Sequence, residues 1–217
     1  MEIRWQYGIN CEDAAARMMA TNILYGLGDC LKPDLWRTDF AVIIGANPIL
    51  SHSSTFSEPL TRSALDAVIQ RRGRVLVIDP RRTETARRYE HLSVKPGTDA
   101  FLLLAIIRTL FDEDLVDWEF VNRWTSGVET FRDLVGKFGV DECAARCNVG
   151  LEILRDIARG FARARGAVIF GRTGTCTQRF GTLNNVLQDA INILTGNIER
   201  PGRVRRQVPS PLSSVRQ

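Results

Sequence analysis

Three short polar runs carry the residues best suited to chemistry: Gly45-Ala46-Asn47-Pro48, Asp79-Pro80-Arg81-Arg82 and Lys95-Pro96-Gly97-Thr98-Asp99. Asn47 and Asp99 suit the edge of a base or ribose. Arg81 and Arg82 suit phosphates, and the glycines permit a close approach of ligand to backbone. That set of donors and acceptors describes a nucleotide site. Each run also has a plain local explanation. Gly45 to Pro48 makes a tight turn, Asp79 to Arg82 an Asp-Pro turn with solvated arginines, and Asp99 a helix cap. What favours chemistry is their occurrence in sequence at three consecutive strand ends.

Each run closes an apolar or β-branched segment. Phe40 to Ile44, Arg74 to Ile78 and His91 to Val94 read as strands. In an open α/β sheet, ligands bind at the carboxyl ends of the strands, near a topological switch point. Apolar residues spaced on one face predict helices over Glu12 to Tyr25, Pro59 to Arg72 and Ala100 to Phe111, the last capped by Asp99. Thr83 to Arg88 reads as a short helix. Further helices are predicted over Trp118 to Trp124, Val128 to Phe138, Glu142 to Arg146, Leu151 to Arg163 and Gly181 to Leu194. Ala167 to Phe170 reads as a fourth strand, followed by a loop from Gly171 to Gln178. The alternation predicts a Rossmann-like α/β fold: an open, mainly parallel sheet with helices on both faces. Residues 1–202 form one domain in this reading. Residues 203–217, rich in Pro, Ser and Arg, form a disordered tail.

Bulk properties narrow the classes. The 217 residues are 44% apolar and 25% charged, enough for one packed domain. No apolar run is long enough to predict a membrane span. The first residues lack the apolar core of a signal peptide, so the expected compartment is the cytoplasm, or the periplasm if a longer parent carries an export signal. The net charge of +4 comes without a basic stripe interleaved with aromatics, so no nucleic-acid partner is expected. Cys11, Cys30, Cys143, Cys147 and Cys176 include no CxxC pair, which argues against a zinc or iron–sulfur site in this chain. No GxGxxG turn is present, which weighs against ordinary NAD binding.

The combination of segments resembles the molybdopterin-guanine-dinucleotide (MGD) oxidoreductases of the dimethyl sulfoxide reductase family, which include formate dehydrogenases, nitrate reductases and polysulfide reductases. The resemblance runs from Tyr7 to Gly202. It is carried by Thr38-Asp39, Gly45 to Pro48, Ile78 to Ala86, Lys95 to Asp99, Leu194 to Asn197 and Arg200-Pro201-Gly202. It implies the third, dinucleotide-binding domain of a much larger enzyme that holds two MGD molecules around one molybdenum or tungsten. By that resemblance Gly45, Ala46, Asn47, Pro48 and Ser51 line the nucleotide. Asp79, Pro80, Arg81 and Arg82 meet ribose or phosphate, and Gly97, Thr98 and Asp99 read the guanine edge. Gly174 and Gln178 lie near the pterin.

Cys11 lies at the distance upstream where some members of this family carry a thiolate ligand to the metal, and soft thiolate suits molybdenum. Other members use Ser, Asp or no protein ligand there. The resemblance places the iron–sulfur cluster in an N-terminal domain outside this sequence. The implied partners are the remaining domains of the parent and an electron-transfer subunit, with an exposed apolar surface where those domains belong. The chain alone is expected to be inactive. Two other readings stand beside this one: a cofactor-free structural scaffold resembling the large subunit of respiratory complex I, and an independent nucleotide-binding α/β domain. His52, after the first polar run, reads as a surface or loop-packing residue, with contact to substrate or pterin as the alternative, and His91 receives no role.

Overall fold

Segments such as Ala-Val-Ile-Ile and Val-Leu-Val-Ile lack helical periodicity, and their side chains can be buried on both sides only within a covered parallel sheet. The computed structural model describes residues 13–26, 31–51, 58 and 60–205. It begins with α1 (Ala15–Tyr25), β1 (Lys32–Pro33), β2 (Phe40–Ile44), α2 (Pro48–Ser51), α3 (Thr61–Gln70), β3 (Arg74–Ile78) and β4 (Glu90–Leu92). There follow α4 (Asp99–Asp112), α5 (Trp118–Trp124), α6 (Val128–Val135), α7 (Val140–Cys147) and α8 (Leu151–Arg163). The chain then forms β5 (Ala167–Gly171), α9 (Thr173–Cys176), α10 (Gly181–Leu194) and β6 (Val204–Arg205).

The main sheet has the order β4-β3-β2-β5, and every pairing in it is parallel. Ile44 lies opposite Ile78 on one side and Gly171 on the other. Ile78 lies opposite Leu92. This register brings Gly45, Asp79, Ser93 and Arg172 to one edge of the sheet. The chain moves outward from β2 to β3 and β4, then returns to place β5 on the far side of β2. The switch point therefore falls between β2 and β5.

The period of two divides the core. Phe40, Val42, Ile44, Leu76 and Ile78 pack with apolar residues of α4, α7, α8 and α10. Ala41, Ile43, Val75, Val168 and Phe170 pack with Ala64, Leu65 and Val68 of α3 and with Leu31, Leu35 and Val204. Helices thus cover both faces, as the sequence predicts. β1 and β6 form a separate antiparallel pair, which carries ordered chain past Gly202 to Arg205; residues 206–217 lie outside the described residues.

β5 is an edge strand, and such an edge presents main-chain groups that need partners. Here side chains supply them. The Asn192 amide donates to the Ile169 carbonyl at 3.1 Å and its oxygen accepts from the Ile169 N–H at 3.1 Å. Asn197 Oδ1 accepts from the Ala167 N–H at 3.0 Å. α1 packs on α10 through a buried ion pair, Arg17 to Asp189 at 2.9 Å. Its outward face carries exposed Met18, Met19 and Ile23.

The local differences from the sequence reading have identifiable causes. Thr83 to Arg88 is a turn, because Thr83 Oγ1 accepts from the Ala86 N–H and Asn47 Oδ1 from the Thr85 N–H, in competition with helical bonds. Asp99 is the first helical residue of α4, and the flanking Thr98 turns its hydroxyl back to the Lys95 carbonyl. The third strand pairs over Glu90–Leu92 only, while Val94 turns into the core. One helical turn, α9, interrupts the loop after β5.

Replacing Asn192 with Ala strips both partners from Ile169. Each buried main-chain group so exposed costs about 1–3 kcal/mol. Urea unfolding is expected to show a loss of at least about 2 kcal/mol, and an unchanged midpoint would show that the edge finds other partners.

Candidate functional site

At the carboxyl edge, the loops that follow β2 and β5 meet backbone to backbone. The Gly174 N–H donates to the Gly45 carbonyl at 2.9 Å. Gly45 has φ +58°, and a Cβ there would come within 2.9 Å of the Gly174 carbonyl carbon. A Cβ on Gly174 would come within 2.8 Å of Gly45 Cα. Only glycine on both sides permits this approach.

Asn47 joins the first loop to the second. Its amide donates to Glu84 Oε2 at 2.6 Å. Its oxygen accepts from Thr85 Oγ1 at 2.8 Å and the Thr85 N–H at 3.2 Å. Its own carbonyl accepts from the Leu50 and Ser51 N–H groups, which starts the short α2. The side chain that suited a base edge is thus the brace between two loops. A main-chain hydrogen bond at Glu84 and the Asn47 amide hold the Glu84 carboxyl below the usual range. Ala46 and Pro48 are buried beneath this turn, and Ser51 is exposed at its end.

The second loop is an Asx turn. Asp79 Oδ1 accepts from the Arg81 N–H at 2.8 Å, and His91 Nε2 bonds the Asp79 carbonyl at 2.8 Å. Pro80, Arg81 and Arg82 lie exposed beyond it. Arg81 sits 3.8 Å from Glu84, and among the described residues no ion pair engages Arg82.

The third loop turns on exposed Gly97, with φ +77°, and half-buried Thr98. Asp99 beyond them is only 4% exposed. Burial pushes its carboxyl above the usual carboxylate range. A hydrogen bond from the Gln178 side chain and its own main-chain N–H act in the opposite direction, and Asp79 adds to the rise. Asp79 and Gln178 thus act on Asp99 from the loops after β3 and β5. Gln178 also donates to the Gly174 carbonyl and accepts from Asn184 Nδ2 at 3.4 Å. Asn184, fully buried on α10, was not singled out in the sequence. Its signal is the recurrence of amides at Asn184, Asn185, Gln188 and Asn192, a stripe that on most helices faces water.

A cleft of about 610 Å³ opens beside these loops, between Pro80, Ser93, Lys95, Pro96 and Asn148. A larger groove of about 790 Å³ lies away from them, along α1, α5, α6 and the C-terminal half of α10. Cys143 and Cys147 are buried on α7, and burial pushes the Cys143 thiol up to about 11. Cys11 and His52 lie outside the described residues. Among the described residues no cluster of His, Cys, Asp or Glu could hold a metal, and no helix is long and apolar enough to cross a membrane.

The model of the molybdopterin oxidoreductase family matches residues 4–207. The chain belongs to that family. It is 28% identical over 202 residues to the F420-dependent formate dehydrogenase 2 subunit alpha of Methanococcus maripaludis, covering 89% of this chain and 29% of the relative. It is 30% identical over 166 residues to formate dehydrogenase H of Escherichia coli, covering 76% of this chain and 22% of that one. Its fold matches acetylene hydratase from Pelobacter acetylenicus with a TM-score of 0.75, at 24% identity over 86% of this chain and 25% of that one. The chain therefore spans less than a third of the length of these proteins.

The brace has a measurable consequence. Asn47→Ala is expected to lower stability by about 1–3 kcal/mol in urea unfolding, because it breaks the link between the first two loops. Arg82→Ala, on an exposed side chain, is expected to stay within about 0.5 kcal/mol of the parent. Equal effects from the two would remove the structural role of Asn47.

Proposed function

We propose that this chain holds one guanine dinucleotide of a bis-MGD cofactor, as one domain of a longer molybdenum or tungsten oxidoreductase. The observation that carries the reading is the gathering of the loops after β2, β3 and β5 at one edge of a parallel sheet, around the glycine contact at its switch point, with a buried carboxylate, Asp99, at the start of the helix that follows the third polar run. The donor set fits such a group. A carboxylate can accept two hydrogen bonds from the N1 and N2 side of guanine. Exposed Arg81 and Arg82 supply guanidinium donors to phosphates, and Asp79 supplies an acceptor to a ribose hydroxyl. Gly45, Gly97 and Gly174 keep the loop backbones open to close approach. Asn47 acts through the loops it braces, with Ala46 and Pro48 beneath the turn and Ser51 at its rim.

When bound, the cofactor supplies two-electron redox chemistry at its metal. This chain's own part is to bind and orient one end of the cofactor. Cys11 is the proposed thiolate ligand, with the iron–sulfur cluster in a further domain. The length of the relatives supports a parent with more domains, and the outward stripe of α1 offers an apolar face for one of them. An electron-transfer subunit is the proposed external partner. The two-electron substrate of the parent falls in the class handled by formate dehydrogenases and nitrate reductases, to which this chain is similar.

Titration calorimetry of the 217-residue chain with GDP, GMP, AMP and NAD tests the reading. GDP is expected to bind, AMP and NAD to give no heat, and Asp99→Ala to abolish the GDP signal. Arg81→Ala with Arg82→Ala is expected to weaken GDP about tenfold, equivalent to about 1.4 kcal/mol. Failure of any guanine nucleotide to bind would favour the cofactor-free scaffold, and equal binding of adenine ligands would favour an independent nucleotide domain.

A further inference from the structure

Arg172 is the first residue after β5, and the register of the sheet sets it beside Gly45 across the switch point. Its main chain is pinned. The Arg172 carbonyl accepts from the Thr175 N–H and from Thr175 Oγ1, both at 2.8 Å, and from the Cys176 N–H at 3.1 Å. The loop that carries it is fixed to the loop after β2 by the bond from Gly174 to Gly45.

The side chain is 17% exposed. A guanidinium keeps its charge at ordinary pH and offers five N–H donors in one plane. Nη2 meets Asp13 Oδ2, just ahead of α1, at 3.4 Å. That is long for a charge-assisted bond, which runs at about 2.7–2.9 Å. Nε and Nη1 are shielded from solvent and have no hydrogen-bond partner among the described residues. Donors withheld from both water and acceptors are costly. Neighbouring charges do not meet the need. Asp189 of α10 pairs with Arg17, one turn along α1 from Asp13, at 2.9 Å.

We propose that Arg172 binds an oxyanion at the switch point of the sheet. The donor geometry gives the ligand class. A carboxylate, nitrate or phosphate group brings several acceptor oxygens to a guanidinium and also balances its charge. A neutral carbonyl would do only the first. Asp13 engages one nitrogen and leaves the other two for the ligand. Place separates this contact from the phosphate contacts proposed for Arg81 and Arg82. Those residues follow β3, two strands away in the order β4-β3-β2-β5, or roughly 10 Å at the usual strand spacing. The inference stands on the geometry around Arg172 and does not depend on the guanine reading.

Nitrogen-15 NMR of the arginine Nε–H signals in the 217-residue chain tests it, with Arg172 assigned by through-bond correlation to its own main chain. Sodium formate, sodium nitrate and inorganic phosphate are titrated separately at constant ionic strength, with chloride as the balancing ion. The Arg172 signal is expected to shift and saturate with at least one oxyanion, while the Arg17 signal stays in place. Arg172→Ala, checked for folding by thermal unfolding, is expected to weaken that oxyanion at least about tenfold in calorimetry. Phosphate binding that GDP displaces would assign the contact to a nucleotide phosphate. Formate or nitrate binding that GDP leaves intact would assign it to a small oxyanion. An Arg172 signal that none of the three moves overturns the proposal, as does equal affinity in Arg172→Ala. Oxyanion binding without GDP binding would count against the guanine reading and leave this one standing.

Discussion

Everything at the carboxyl edge depends on the approach of two backbones at Gly45 and Gly174. β2 and β5 are neighbours, yet their connections leave the sheet in different directions. The loops that follow them are joined here by one main-chain hydrogen bond of 2.9 Å. No side chain fits between them. That contact places the start of the β5 loop, and so sets where Gln178 lies when the chain turns into α10. Asn47 does the same for the second loop through Glu84 and Thr85. Three loops thus behave as one platform, because each is tied to the next by short bonds with little freedom.

α10 supplies the other half of the platform. Asn184, Asn185, Gln188, Asp189 and Asn192 are all buried, which is costly for polar groups unless they find partners. Asn192 stands in for a missing neighbouring strand beside Ile169, and Asn185 bonds the Gly181 carbonyl at 2.8 Å. Asp189 meets Arg17, whose guanidinium lies 5.7 Å above the Phe170 ring. This helix seals a sheet edge, anchors α1 and steadies the loop beside it. An apolar helix of the same length could do the first of these only by leaving Ile169 without partners.

Much of this was legible in the chain. β2 and β3 and the helices α5, α8 and α10 fall on the predicted residues, since their apolar runs are bounded by Gly, Pro or polar clusters. The three polar runs do gather at one edge, because parallel register carries every strand end to the same side. What local patterns could not reveal is long-range competition for hydrogen bonds. Asn47 finds Glu84 and Thr85, 37 and 38 residues away. That pairing turns a candidate base-reading amide into a brace and melts an expected helix into a turn. The amides of α10 carried the right periodicity, but the same stripe on a solvated helix would read identically. Only the edge of β5 gives it meaning.

The same limit applies to Asp99, which the sequence alone presents as a cap. A carboxylate before a long apolar helix is a common start signal, and favourable interaction with the helix N-terminus is one reason it is tolerated there. Capping, however, is served at a solvated position, where a carboxylate keeps its hydration. Asp99 has given up that hydration and faces a second carboxylate, Asp79, in the neighbouring loop. A purely structural role would be met more cheaply by Ser or Asn, which cap without a charge to desolvate. A buried carboxylate after the end of β4 is what the proposed donating ligand would use. In the proposed function, that ligand is the base of a dinucleotide.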